Sequence, residues 1–326
     1  MDGLFQYATA GEQSSSVREL ERLLAQHIQG QLTGIVEIAY PPQIRLFFLL
    51  VQGELKNSYL VTPELIRKIQ YDEWTGFLGK AEAQARVLTL PLEAIRAAKL
   101  LIECPAPAGS FPLPTRELVR RIDGWSTSNG CMAIRIVWPA AEGVMVFPGK
   151  DGLVQPALFI THGQIVTETD AIIAITHWKE ATCTISQLVD DDRVEAWKEY
   201  RLRLAFTRMT ELLLTRYKEL AGQSLVSSLN QDIDDETLRR GWRISCVGNG
   251  MIDHHIFASP QEAADAYREL SRLLLAHLDA VLGSRITHSL AAEIFDEIDA
   301  DSQEILRSYR LLLPPDSAGL SPEMSR

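Results

Sequence analysis

Six apolar residues run without interruption from Leu46 to Val51, followed by Gln52-Gly53 and then a second stretch rich in aliphatic and aromatic residues. The run is far shorter than the roughly 20 apolar residues a membrane-spanning helix needs, so it predicts no span. Glycine tolerates the positive φ of a tight two-residue turn, which makes Arg45–Val51 and Glu54–Val61 an antiparallel hairpin folding back at Gly53. An unbroken apolar strand has no polar face to give to water. It is therefore expected to be covered on both sides, by the chain itself or by a partner.

The pattern returns in LFITHGQIVTET, Leu158 to Thr169, where Gly163 takes the place of Gly53 and His162 that of Gln52. Each hairpin is preceded by an amphipathic stretch, VRELERLLAQHI or TRELVRRIDGW, and then by a β-rich run, GQLTGIVEIAY or SNGCMAIRIVW. A duplicated helix–strand–hairpin unit is the expectation, at 16–103 and 115–190. The second copy carries extra chain near PAAEGVMVFPGKDGLVQP, read as an extended loop or an additional hairpin. DAIIAITHWKEATCTISQLV reads as a helix, a turn and a closing strand. Its first-copy counterpart is expected to begin with Thr62 as N-cap and Pro63 as the first residue of a helix through about Gln70. The copies are separated by CPAPAGSFPLP, Cys104 to Pro114, which holds four of the chain's 15 prolines and reads as a linker.

Beyond Asp190-Asp191-Asp192 the period becomes helical. Val194, Trp197, Ala205, Met209, Leu212, Leu213, Tyr217 and Leu220 recur at three- and four-residue steps along one long helix, Asp192–Leu220, stopped by Gly222. Asn249-Gly250 predicts a type I′ turn between Trp242–Val247 and Met251–Phe257. Ser259, Pro260, Gln261 and Glu262 read as N-cap, N1, N2 and N3 of a helix through Leu282, with Gly283 after it. Further helices are expected from Arg285 to Ile298 and on to Leu312. The broad apolar faces of the two long helices can cover each other and the Asn249 hairpin, or form a dimer seam.

The order helix, G-x-hydrophobic strand, FxxGxI hairpin, then a helix ending in a W-x-x-A turn resembles the PATAN domain, a small bacterial α+β signalling module. The matching residues are Gly130, Phe159, Gly163, Ile165, Trp178 and Ala181 in the second copy, and Gly34, Phe48, Gly53 and Leu55 in the first. The first copy departs from the pattern after Pro63, since Trp74 and Gly76 stand well beyond the expected helix end. The resemblance implies two-component or small-GTPase-linked regulation through protein contacts, with no catalytic residues to carry over. The expected fold class is thus α+β: two small helix–strand–hairpin units in tandem, then a mainly helical domain at 191–312 containing one β-hairpin. Residues 1–15 are expected to be flexible and 313–326 disordered.

Composition narrows the partner. The 326 residues carry a formal charge of −11, and from Asp190 onward 24 acidic residues face 16 basic ones. Such a surface repels phosphate backbones, so no nucleic-acid partner is expected. The N-terminus lacks the basic start and apolar block of a secretory signal. Four cysteines lie far apart with no CxxC, as expected of free thiols in a reducing cytoplasm.

Candidate chemistry is sparse. His254 and His255 are neighbours on a strand, point to opposite faces and would not chelate together. His162 stands at a turn without an identifiable nucleophile, and His177 sits where a helix ends and its imidazolium would favour the helix dipole. His27 and His288 also lie near helix ends, and His277 lies inside a long helix. FDEIDADSQE lacks the glycine of a calcium loop, and VFPGKDG lacks the spacing of a phosphate-binding loop. No metal and no cofactor are expected. The reading is a non-enzymatic, cytoplasmic bacterial regulatory protein that binds a protein partner, a response regulator or small GTPase, or itself as a homodimer. The alternative is a ligand sensor or small hydrolase with a pocket between the repeated units, for which His162, Asp170 and His177 near Gly163 are the candidates.

Overall fold

The computed structural model describes residues 11–15, 17–41, 43–78, 83–103, 110–126, 132–147, 157–161, 164–178, 180–188 and 194–311. The chain forms two compact units, Met1–Trp197 and Lys198–Arg326. The fold is α+β: antiparallel sheets in the first unit and a mainly helical second unit.

The first half of unit one comprises β1 (Gly11–Ser15), α1 (Val17–Gln29), β2 (Gly34–Tyr40), β3 (Ile44–Val51), β4 (Glu54–Val61), β5 (Ile66–Lys68), α2 (Tyr71–Leu78), β6 (Ala83–Thr89) and α3 (Leu92–Glu103). Its strands form a six-stranded sheet in the order β1-β6-β2-β3-β4-β5. The hairpin at Gly53 forms as expected, with Gln52 and Gly53 at φ 51° and 77°. Glycine is required there twice over, because a Cβ on Gly53 would stand 2.1 Å from the Ile28 carbonyl oxygen. The turn is thereby seated on the end of α1, and the Gly53 N–H donates to the Leu32 carbonyl at 2.9 Å.

The unbroken run in β3 is buried on both faces. Leu46, Phe48 and Leu50 pack with Val36 and Ile38 against Leu23 and Leu24 of α1 and Trp74 of α2. Phe48 meets Trp74 edge-on at 5.1 Å between ring centres. Phe47 and Leu49, pointing the other way, are equally buried, and α3 lies against β3 and β5.

The second half repeats the plan as β7 (Phe111–Pro114), α4 (Thr115–Ser126), β8 (Met132–Trp138), β9 (Ala141–Phe147), β10 (Ala157–Thr161), β11 (Gln164–Thr167), α5 (Glu168–Thr176) and β12 (Thr182–Leu188). Its sheet order, β11-β10-β9-β8-β12-β7, is that of the first sheet element for element. Ile134, Ile136, Met145 and Phe147 pack on Leu118 and Ile122 of α4 and Ala171 and Ile175 of α5. Helix α3 also touches β9, β10 and β11, so it is shared by both sheets. This explains a helix buried round most of its circumference, in which Ala94, Ile95, Ala97, Ala98, Leu101 and Ile102 are all buried, and Lys99 with them.

The duplication is present, but its register differs from the expected one. With β2 matched to β8 and β3 to β9, the Gly53 turn corresponds to the connection between β9 and β10. The connection between β10 and β11, where Gly163 falls in the sequence, corresponds to that between β4 and β5. Gly163, His162 and Gly130 lie outside the described residues. Strand β9, read as inserted chain, is an integral strand paired with both β8 and β10. Successive hairpins in a meander share one sequence pattern, so matching one glycine turn to another cannot tell adjacent hairpins apart.

Three other expectations are corrected. The Thr62-Pro63 segment starts no helix: the Thr62 hydroxyl accepts the Leu65 N–H at 3.1 Å and closes a turn into β5. The same side-chain chemistry that caps a helix also closes such turns. Residues 11–15 form β1 on the edge of the first sheet. The end of the proposed linker, residues 111–114, is strand β7, paired with β12. Prolines are tolerated there because β7 is an edge strand.

Unit two contains most of α6 (Glu195–Ala221), then α7 (Gln223–Arg240), β13 (Ile244–Val247), β14 (Gly250–Asp253), α8 (Pro260–Leu282), α9 (Ser284–Glu297) and α10 (Ala300–Ser308). Its core joins Phe206, Met209, Leu213 and Tyr217 of α6 to Tyr267, Leu270, Leu274 and Leu278 of α8. The two helices run parallel, since Phe206 stacks on Tyr267 and Tyr217 meets His277 further along both. Their apolar faces therefore cover each other within the unit. Ser259 caps α8 by accepting the Glu262 N–H at 3.2 Å, and the Glu262 carboxylate accepts the Ala258 N–H at 2.7 Å. No helix among the described residues is long and apolar enough to cross a membrane.

Candidate functional site

Of the sequence-derived candidates His162 lies outside the described residues, and the other two, Asp170 and His177, stand apart. Asp170 is exposed near the start of α5, and His177 is exposed at its C-cap. Seven residues of helix place them about 10 Å apart along the axis. The His177 ring takes up its own helix terminus, with Nδ1 3.1 Å from the Ile173 carbonyl oxygen. His254 is exposed while His255 is buried edge-on against Phe257 at 4.5 Å. Among the described residues no three His, Cys, Asp or Glu side chains cluster to hold a metal.

The most organised polar site is one that reading along the chain missed. Arg203 of α6 is buried, with Nη1 2.8 Å from Asp253 Oδ1 and Nη2 3.1 Å from Glu199 Oε1. It also donates to the main-chain carbonyls of Asp253 at 3.1 Å and His255 at 2.7 Å. Tyr267 of α8 donates its hydroxyl to Asp253 Oδ2 at 2.5 Å, and the Asp253 Oδ1 atom accepts the His255 N–H at 2.8 Å. Burial works against the guanidinium's charge, but Asp253, Tyr267 and Glu199 more than offset it and hold Arg203 above its ordinary range. Burial also pushes the Tyr267 hydroxyl well up, with Arg203 opposing and Asp253 adding. The cluster cross-links α6, α8 and the end of β14. A charge so enclosed is a structural clamp whose loss would strand its partners.

That clamp fixes the β13–β14 hairpin. Its loop is Gly248-Asn249, because Val247 pairs with Gly250. Gly248 has φ 63° and Asn249 does not share the positive sign, the pattern of a type II′ turn. The expected Asn249-Gly250 type I′ turn is thus displaced by one residue, and Gly250 is the first residue of β14. Glycine at the first loop position supplied the required conformation one step earlier. Ile244, Cys246 and Met251 face inward and are buried. Helix α7 holds the outer side of β13: Asp234 accepts the Cys246 N–H at 3.1 Å, and Asn230 donates to the Gly248 carbonyl at 2.9 Å. Burial and the neighbouring Asp234 push the Cys246 thiol up to about 12. Helix α7 itself escaped the sequence reading, although Val226, Leu229, Ile233 and Thr237 mark its buried stripe.

The other face of the hairpin is open. Val247 is 64% and Ile252 42% exposed, and the pairing places them diagonally on the same side. A second open feature lies between α7 and α8, a groove of about 540 Å³ lined by Asp232, Asp235, Glu236, Arg239, Leu273 and His277. His277 Nδ1 lies 3.0 Å from Asp232 Oδ2 at its wall.

No protein-family model and no curated relative matches the chain. Among solved structures, the DNA polymerase III subunit beta from Pseudomonas aeruginosa aligns at 12% identity over 62% of this chain and 75% of that one, with a TM-score of 0.14. A chain provisionally described as a DNA polymerase III beta subunit from Eubacterium rectale aligns at 12% identity over 65% and 75%, with a TM-score of 0.10. At such scores neither alignment carries an argument about this protein.

Proposed function

We propose that this chain is a cytoplasmic regulatory protein of the PATAN-like kind that works by protein contact, its partner a response regulator or small GTPase. The observation that supports this reading is the outer face of β13–β14. There two aliphatic side chains, Val247 and Ile252, stand side by side in water on a hairpin held by Arg203, Asp234 and Asn230. Apolar contact groups on a rigid mount lose little freedom on binding, which suits a docking element. The charge of −11 favours a protein partner over nucleic acid.

The test uses purified receiver domains and GDP- or GTP-loaded small GTPases from the source cell, titrated at physiological salt against the wild type and Val247→Asp/Ile252→Asp. A partner of either class should bind the wild type and weaken at least tenfold on the double variant, whose circular dichroism stays unchanged. Equal binding by both forms, or none by the wild type, would overturn the proposal.

A further inference from the structure

The two sheets have matching edges that differ in one respect. Strands β1 and β7 hold the same place, each pairing on one side with the strand that closes its sheet, β6 or β12. In β7 the Thr115 N–H at the strand's end turns inward to the Ala181 carbonyl. Alternation then turns positions 112 and 114 outward, and both are proline. That edge offers no outward N–H. In β1 the residues opposite Val87, Ala85 and Ala83 are Gly11, Gln13 and Ser15. The Leu90 N–H points to Thr33 on the β2 side, so odd-numbered positions of β6 point to β1 and engage those three residues. Among the described residues no strand pairs with the other side of β1, and Glu12 and Ser14 face that side, each with a main-chain N–H to donate. The remaining edges are poorer templates: β5 has three residues and carries Arg67 and Lys68 in ion pairs with Glu73 and Glu195, and β11 runs straight into α5.

We infer that β1 is a dimerisation edge, on which β1 of a second copy of this chain adds antiparallel across a two-fold axis through Gln13. In that register Glu12 of each copy falls opposite Ser14 of the other. Both outward-facing positions on each strand then exchange main-chain hydrogen bonds, and no acid faces an acid. Centring the axis on Glu12 would instead set carboxylate against carboxylate. Because prolines close the equivalent edge of the second sheet, pairing through β1 gives a closed dimer with no free equivalent edge on which to propagate. This inference is independent of the regulatory role proposed above.

Sedimentation equilibrium and cross-linking test it. The wild type should sediment as a dimer. Ser14→Pro, which copies Pro112 at the equivalent place, should raise the dimer dissociation constant at least tenfold while the melting temperature of the first unit holds. Gln13→Cys puts two sulfurs on the axis in a non-hydrogen-bonded pair, where Cα atoms about 4.5 Å apart suit a disulfide. It should oxidise to a covalent dimer far more completely than Glu12→Cys. A monomeric wild type, a Ser14→Pro variant that dimerises as before, or equal cross-linking of both cysteine variants would overturn the inference.

Discussion

Glu37 and Arg135 occupy equivalent positions in the two halves of unit one, each the fourth residue of its strand, and carry opposite charge. Each pairs diagonally with the second residue of the next strand. Arg45 Nη1 lies 3.4 Å from Glu37 Oε1, and Arg135 Nη2 lies 3.1 Å from Glu142 Oε2. The same ion pair is built twice with its polarity reversed. In the first sheet Glu37 also takes Arg86, at 2.9 Å, whereas the residue opposite Arg135 is Ser186.

Reversal of the second pair should therefore be tolerated. Glu142 is fully buried, so Glu142→Ala leaves Arg135 without this partner and should cost about 3–5 kcal/mol. The double swap Arg135→Glu/Glu142→Arg imposes the polarity of the first sheet and should recover at least half of that loss. Urea unfolding midpoints decide the matter, and a swap no more stable than the single variant would refute the equivalence.

The Arg203 clamp should behave as one unit. Arg203→Ala removes the buried positive charge that faces Glu199 and Asp253 and is expected to cost about 3–5 kcal/mol. Tyr267→Phe removes one donor to Asp253 and should cost about 1–3 kcal/mol. In a double-mutant cycle the two losses should fall short of additive, since both act through the Asp253 carboxylate. Strict additivity would mean that the two side chains act separately.

Gly53 and Gly76 offer opposed glycine replacements. At Gly53 a methyl group meets the Ile28 carbonyl oxygen at 2.1 Å in a left-handed conformation, so Gly53→Ala should destabilise by about 1–3 kcal/mol. Gly76, inside α2, has nothing within 4 Å of an added Cβ. Gly76→Ala should stabilise by about 0.5–1 kcal/mol. Thermal melts of the two variants should move in opposite directions.

Asp299 provides a pH signature. It caps α10 by accepting the Ser302 N–H at 2.9 Å. Burial alone would raise its carboxyl, but the bonds from Ser302 and the charge of Arg208 outweigh burial and hold it below its ordinary value. A lowered folded-state value means that the stabilisation is complete above the ordinary carboxylate range and disappears as pH falls through the lower one. Asp299→Ala should cost about 1 kcal/mol at pH 7, and its deficit against the wild type should shrink steadily as pH falls below the ordinary carboxylate range. A deficit constant from pH 7 to pH 2 would exclude the capping carboxylate as its source.

Local chemistry determined the elements whose ends are marked by glycine, proline or a capping side chain. The Gly53 hairpin, the Ser259–Gly283 helix and the duplication itself could be read from the residues, because turn conformation and helix termini depend on neighbours within a few positions. Helix α7 was missed because its buried stripe is broken by polar residues on every side. The Asn249-Gly250 turn was misplaced by one residue because Gly248 competes for the same conformation.

Tertiary structure decided what distance along the chain conceals. Only the sheet order shows that Gly53 and Gly163 belong to different hairpins of the repeat, since each satisfies the same local rule. Only packing brings Arg203 to Asp253 and Tyr267, which lie on different elements far apart in sequence. Burial of a charge is an outcome of the assembled core, and no period or spacing along a single strand or helix records it.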